Sequence, residues 1–367
     1  MKGINYRSIP TIAILWAIRN FHANAQFTYP DFNQTLGLVM NGDAATTTCS
    51  NEELMISAMT SGGEMQGLYQ KIVTESGGDN LSVGNNISEI AQFGHREGMD
   101  VVDLHAIIEC KTRIRLTPSR PSRVGSVWYE KRLPVLTEFD TTFKFQLSGQ
   151  SRTCTFHRDP TFSLKHHKSC TVHGGDGFAF VIHANPGDAL SIGGKGKQLG
   201  YGGLKNSIAV EFDTWTNTQV TEEYKEDDLF HDHVSIHSAG IGTNDSGEST
   251  SLGYSRPVDL ADGKIHEVRV RYFPFLQTKY FEGMSANENL LPYLKDNGEG
   301  RRLGTLAVYI DDGIKADSPL LAIPLNLSIL LDLPDSIAYV GFTAATGLQW
   351  QKHDIISWNW CDSNGCL

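Results

Sequence analysis

The sequence predicts an all-β protein built from two large antiparallel sheets packed face to face. Three observations carry that expectation. Many short segments alternate apolar and polar residues with the period of a strand, helical spacing is confined to one stretch, and polar, glycine-rich turns separate the segments.

Residues 1–25 read as a secretory signal peptide. Lys2 and Arg7 give a basic start, 9–18 is a short apolar run, and Ala23-Asn24-Ala25 offers a small-x-small cleavage pattern before Gln26. That run is too short to span a bilayer, and no later stretch approaches the ~20 apolar residues a span needs. The 367-residue chain has a formal net charge of −11, which argues against nucleic acid or an anionic membrane as the main partner. Six cysteines in a secreted chain predict disulfides, although counting alone leaves their connectivity open. Sequons at Asn33, Asn80, Asn86, Asn244 and Asn326 fit the same secretory route.

Taken in order, Phe27–Asn33 with Leu36 and Leu38 reads as an opening strand and its turn. Cys49 to Cys110 encloses a stretch of different character. Its apolar residues in 54–59, 68–73 and 87–93 are spaced like short helices, broken by Gly62-Gly63 and Gly77-Gly78. It reads as an insertion at about 50–109 whose neck a Cys49–Cys110 bond would close; a wrongly joined gene segment is the alternative. The strand pattern resumes at 112–117, 125–129 and 139–147. Cys154 and Cys170 flank a basic loop with His157, His166 and His167. A disulfide-closed hairpin loop is the stronger reading there and a zinc site the weaker.

Gly174-Gly175-Asp176-Gly177 leads into the apolar run Phe178–Ile182, which makes Asp176 an acceptor at a loop edge held by a rigid strand. The glycine-rich stretch 193–204 lacks the Gly-x4-Gly-Lys-Ser/Thr pattern and a following helix, so it is not a phosphate loop. Residues 263–272 and 304–311 alternate as strands, and 274–301 between them reads as a second, polar insertion. Leu320–Leu333, with prolines at 319, 324 and 334, reads as a buried strand and loop rather than a helix. Tyr339–Gly347 and His353–Trp360 close the domain beside Cys361 and Cys366, which can pair locally.

The stretch 208–238 carries the chemistry. Ile208, Val210 and Phe212 alternate with Ala209, Glu211 and Asp213, so a strand points the two acids to one face and Phe212 to the other. An oxygen-rich loop follows, containing Asn217 and Asp228, and a second strand, His233–His237, sets an imidazole beside it. Carboxylates, an amide and one histidine converging this way suit divalent cations: oxygen donors favour calcium, and an added imidazole favours a transition ion such as manganese.

This set resembles the metal site of the legume-type (L-type) lectins, where Glu-x-Asp-x-aromatic-x-Asn is followed by an Asp and, five residues later, a His. Here those residues are Glu211, Asp213, Trp215, Asn217, Asp228 and His233. The Gly-Gly-Asp corner at 174–176 and the closing strands at 339–360 are similar to two further motifs of the family, in the same order, and the resemblance covers 27–360 apart from the insertions. It implies a concanavalin-like β-sandwich, a jelly roll of two large antiparallel sheets, over 26–367. It also implies Ca2+ and Mn2+ (or another transition ion), with Asp213 and Asp228 bridging them, Asn217 and the Trp215 carbonyl completing calcium, and Glu211 and His233 holding the second ion. For the sugar, it implies Asp176 after a cis Gly175–Asp176 bond, Asn217, a stacking Trp215, and backbone N–H groups of Gly196, Lys197, Leu348 and Gln349.

The implied function is a secreted, non-enzymatic lectin with glycans or glycoproteins as partners; whether it forms a homo-oligomer is not legible. A glycan-binding ectodomain or cargo-receptor fragment is the alternative. A glucanase-like hydrolase shares a Glu-x-Asp-x-x-Glu strand, but Thr216 stands where the second Glu is needed, and a retaining mechanism needs two carboxyls about 5–5.5 Å apart.

Overall fold

In a computed structural model, the structure describes residues 26–48, 111–158, 166–215, 220–221, 224–225, 232–284, 287–296, 298, 301–333 and 335–362. The expected signal peptide at 1–25, the 50–109 segment, Asn80, Asn86, Asn217 and Asp228 lie outside these residues. The strands, in chain order, are β1 (Gln26–Tyr29), β2 (Leu38–Gly42), β3 (Ala45–Thr47), β4 (Arg113–Thr117), β5 (Val124–Tyr129), β6 (Leu133–Pro134) and β7 (Phe139–Ser148). There follow β8 (Ser151–Arg158), β9 (His166–His173), β10 (Gly177–His183), β11 (Ser207–Asp213), β12 (Val220–Thr221), β13 (Tyr224–Lys225) and β14 (His233–His237). The chain then forms β15 (Ser251–Tyr254), β16 (Ile265–Phe273), β17 (Gly304–Ile310), β18 (Leu321–Leu325), β19 (Ile337–Ala345) and β20 (Lys352–Asp362).

Two eight-stranded sheets result, as the sequence predicts. The back sheet runs β18-β17-β16-β7-β20-β4-β3, with β1 also on β20; the front sheet runs β15-β14-β11-β10-β19-β5-β2, with β6 on β19. Every strand pair in them is antiparallel. The sheets meet through aromatics. Phe143 of β7 stands edge-on to Phe342 of β19 at 4.8 Å, and Phe178 and Phe212 of neighbouring front strands stack at 4.6 Å. Each such ring, taken fully from water, contributes ~1.5–3 kcal/mol.

β10 and β11 are buried along their whole length. Their inner side chains face the other sheet. Their outer ones, including Ala179, Val181 and Ala209, pack under Leu199, Tyr201 and Leu204 of the glycine-rich loop. That loop therefore acts as a cover for the front sheet, and it places what it carries beside the acids of β11.

Three expectations need correction or detail. Leu320–Leu333 forms β18 and then a short helix, α2 (Leu327–Leu331), after α1 (Asp312–Lys315). The Asn326 side chain accepts the Ile329 N–H at 3.2 Å and caps α2, so the loop half of that expectation was a helix. Segment 274–301 is less polar in effect than in composition: it forms two 3-10 turns, and Leu290 joins the main core while Tyr280 packs on the outer face of β17 with Tyr309. Asn244 and Asn326 are buried. The Asn244 amide donates to Ser207 Oγ at 3.1 Å and the Asn326 amide to Lys295 O at 2.7 Å. Both are structural amides in the folded chain, not glycan acceptors; Asn33 is exposed.

Candidate functional site

Antiparallel pairing of β11 with β14 sets Asp213 opposite His233 and Glu211 opposite Ser235. Residues two apart on a strand share a face, so Glu211, Asp213 and His233 come together on the outer side of the front sheet. All three are buried, and their ligand atoms lie within 4.8 Å of one another. The Trp215 N–H donates to Asp213 Oδ1 at 2.6 Å, turning the chain at the strand end. Two carboxylates and one imidazole gathered out of water are a donor set that fits a transition ion.

Sequence reasoning missed the groups around Glu211. The Tyr201 hydroxyl, brought in by the glycine-rich loop, donates to Glu211 Oε2, and His237 Nε2 lies 4.0 Å from Glu211 Oε1. A tyrosine eight residues after Gly193, with no acid in its own motif, gives no sequence signal for that contact.

The second cluster lies at the end of β10. The Gly175–Asp176 bond is cis, as the resemblance implies. The Asp176 carbonyl accepts the Thr214 N–H and hydroxyl, both at 3.0 Å, which joins this corner to the end of β11. Gly177 is pressed so close to β11 that a Cβ there would meet the Phe212 carbonyl oxygen at 2.3 Å, so only glycine permits the approach. Asp176 is buried, and burial raises its carboxyl to about 7 against a lowering hydrogen bond from the Gly347 backbone. Its Oδ2 is buried without a hydrogen-bond partner.

Gly347 closes over this carboxylate: a Cβ there would sit 2.9 Å from Asp176 Oδ2. A Cβ on Gly196 would in turn be 3.7 Å from the Gly347 Cα, and one on Gly175 would be 3.3 Å from Gln349 Cβ. Asp176, Gly196 and the 347–349 turn are thus neighbours. Leu348 and Lys197 are exposed, Leu348 at 88%, and Gln349 Oε1 accepts the Ser151 hydroxyl. The Trp215 ring stands edge-on to His173 at 6.0 Å.

Two antiparallel sheets with a glycine loop folded over a buried acid–imidazole cluster define a sandwich of the concanavalin-like class. The family model described as the legume lectin β-barrel domain matches residues 93–289, more than half of the chain. The chain belongs to the legume-type (L-type) lectin family. Among its relatives, L-type lectin-domain containing receptor kinase V.9 of Arabidopsis thaliana is 26% identical over 74% of this chain and 35% of its own length. Receptor kinase VII.1 of the same plant is 26% identical over 53% of this chain and 24% of its own length. Agglutinin-2 of Cladrastis kentukea is 26% identical over 58% of this chain and 59% of its own. The chain thus spans about a quarter to a third of the two kinases. Among solved structures, the lectin from Bauhinia forficata in complex with GalNAc covers 93% of this chain and 99% of its own, at 17% identity and a TM-score of 0.47. No helix among the described residues is long and apolar enough to cross a membrane.

Proposed function

We propose that this chain is a carbohydrate-binding protein whose sugar site is ordered by calcium and a transition-metal ion, manganese for preference. One observation carries the reading. A buried carboxylate oxygen without a partner, on Asp176, opens beside Gly196 and Gly347, next to the strand pair that gathers Glu211, Asp213 and His233.

In this reading Glu211, Asp213 and His233 hold the transition ion. Asp213, Asp228, Asn217 and the Trp215 carbonyl hold calcium. The ions would supply fixed positive charge to a buried acidic cluster. Asp176 accepts sugar hydroxyl protons and, with Asn217, fixes orientation. Trp215 offers an apolar face for a pyranose ring, and Gly196, Lys197, Leu348 and Gln349 offer backbone N–H groups. A site held by strands spends less affinity on ordering itself.

The chain enters the secretory pathway by residues 1–25, and 50–109 and 274–301 are insertions in a domain spanning 26–367. Disulfides join Cys49–Cys110, Cys154–Cys170 and Cys361–Cys366. In support, Cys154 and Cys170 are register partners in the β8/β9 hairpin, and Cys361 is disulfide-bonded. A second reading, a glycan-binding ectodomain of a longer protein, is favoured by the receptor kinases among the relatives. A hydrolase reading lacks its second glutamate, since position 216 is threonine.

The test is a glycan array run with Ca2+ and Mn2+ and again after chelation, on the parent and on Asp176→Ala. The parent should bind only with ions. Asp176→Ala should lose about ten- to a hundredfold in affinity, the equivalent of ~1.5–3 kcal/mol for hydrogen bonds to a charged acceptor, while keeping its metal content. Equal binding by the two proteins would place the sugar elsewhere.

A further inference from the structure

Tyr201 is a large buried side chain beside the ion cluster that the sugar and ion assignments leave unused. It lies in the glycine-rich stretch, fully buried, its ring packed with Trp128, Val181, Leu199 and Leu204 on the outer face of the front sheet. Its hydroxyl donates to Glu211 Oε2, and the Asp245 carbonyl lies 3.3 Å away on the same atom. A phenol has one proton to give, and an ionised acceptor takes it in preference to a neutral carbonyl because charge-assisted bonds are roughly twice as strong. The ring cannot swing away, since its packing fixes it.

The other side of Glu211 is different. The Thr250 hydroxyl donates to the Asp245 carbonyl at 2.6 Å, so toward His237 Nδ1, 3.2 Å away, it can only accept. The proton of His237 is then on Nδ1, and Nε2 accepts the Ser235 hydroxyl at 3.0 Å. A bare nitrogen therefore faces Glu211 Oε1 at 4.0 Å and donates nothing to it. Of these two neighbours, only Tyr201 directs the carboxylate.

We propose that Tyr201 is a positioning residue for the ion. Its hydroxyl holds one oxygen of Glu211 so that the other is turned toward the place shared with Asp213 and His233. The proposal rests on the ion-binding reading above and adds a route to the sugar site. Tyr201 is on the same stitched loop as Gly196: Gly193 N–H donates to Gly200 O at 2.7 Å, Gly194 N–H to Gly202 O at 2.9 Å, and the Thr343 hydroxyl to Leu199 O at 2.8 Å. Tyr201 thereby ties the carboxylate that would hold the ion to the loop whose tip meets Gly347. Groups that orient a ligand from behind typically contribute ten- to a hundredfold in metal affinity.

The experiment is a Mn2+ titration of the metal-stripped full chain, followed by electron paramagnetic resonance of the free ion, for the parent, Tyr201→Phe and Glu211→Gln. Phenylalanine keeps the ring and its packing and removes only the hydroxyl. Tyr201→Phe is expected to bind Mn2+ ten- to a hundredfold more weakly, with circular dichroism and the metal-free melting temperature unchanged. If Glu211→Gln loses Mn2+ while Tyr201→Phe binds it as the parent does, or more tightly, the positioning role is wrong and the ion site stands. A lower metal-free melting temperature with parental Mn2+ affinity gives Tyr201 a structural role only and also overturns the proposal. If the parent binds no Mn2+, or Glu211→Gln matches it, the ion reading fails and this inference falls with it.

Discussion

The outer faces of the two sheets both bury acids, but they pair them differently. On the back sheet, Asp140 is met by Arg269 and Arg271. Asp354 is gripped by Arg115 through two bonds of 2.8 and 2.7 Å, with Arg113 at 3.5 Å. On the front sheet, Glu211 and Asp213 gather with His233, and the Tyr201 hydroxyl and His237 ring stand around Glu211. A guanidinium is always charged, whereas burial pushes His237 down to about 3 and leaves it neutral. Buried charge demands a compensating charge. The back sheet carries its own cations, whereas around Glu211 the front sheet sets one hydroxyl donor and a neutral ring, beside a carboxylate–imidazole set that fits an ion. The contrast separates a face whose acids are paired within the fold from one whose acids form the candidate ion site.

That contrast can be broken by exchanging acids for alanine. Asp213→Ala is expected to have the largest effect, since in the proposed arrangement it removes a carboxylate shared by both ions. Glycan binding should vanish and Mn2+ affinity should fall beyond detection, with the sheets still folded by circular dichroism. Full binding by this variant after dialysis against chelator would make the front face structural as well. Asp354→Ala should do the opposite. It leaves Arg113, only 3% exposed, without its buried counter-charge, and breaking such a pair costs roughly 3–5 kcal/mol. The urea midpoint should drop while Mn2+ and glycan affinity stay at parental values. A back-sheet variant that lost metal affinity would show that the two faces are not independent.

Much of this was legible in the sequence where the signal is local. The period of two along 208–213 assigns Glu211 and Asp213 to one face and Phe212 to the other, where the structure stacks it on Phe178. The glycines around Asp176 announced a corner, and the corner is there. What was not legible is contact between distant segments. Arg115 and Asp354 are 239 positions apart, and only the adjacency of β4 and β20 brings them together. Tyr201 carries no motif that mentions Glu211. The sequons at Asn244 and Asn326 misled because three residues specify a chemical acceptor and say nothing about burial. The 327–331 helix was missed because a short apolar run fits a strand or a buried helix equally, and its Asn326 cap was read only as a sequon.

The smallest expected effect concerns acid, and it sharpens the same distinction between charged and neutral burial. His353 is fully buried on β20, with Nδ1 2.6 Å from the Thr117 hydroxyl and Nε2 3.2 Å from the Gln351 amide. Burial lowers it from 6.5 to about 3. The folded state therefore binds fewer protons than the unfolded chain between those values. Its contribution to stability is whole above about 6.5, declines as pH falls through the window, and levels off below about 3. One pH unit below 6.5 the loss is about 1.4 kcal/mol. His266 works in the other direction, because Asp311 and Asp262 outweigh burial and raise it, so the parent's total slope is a sum of opposed terms. The informative quantity is the difference between parent and His353→Gln, unfolded with urea at pH 7.5 and 5.5 in chelator. Between those conditions the parent should lose about 1.4 kcal/mol more than the variant. Parallel pH dependence in the two proteins would mean that His353 is charged, or solvated, in the folded state.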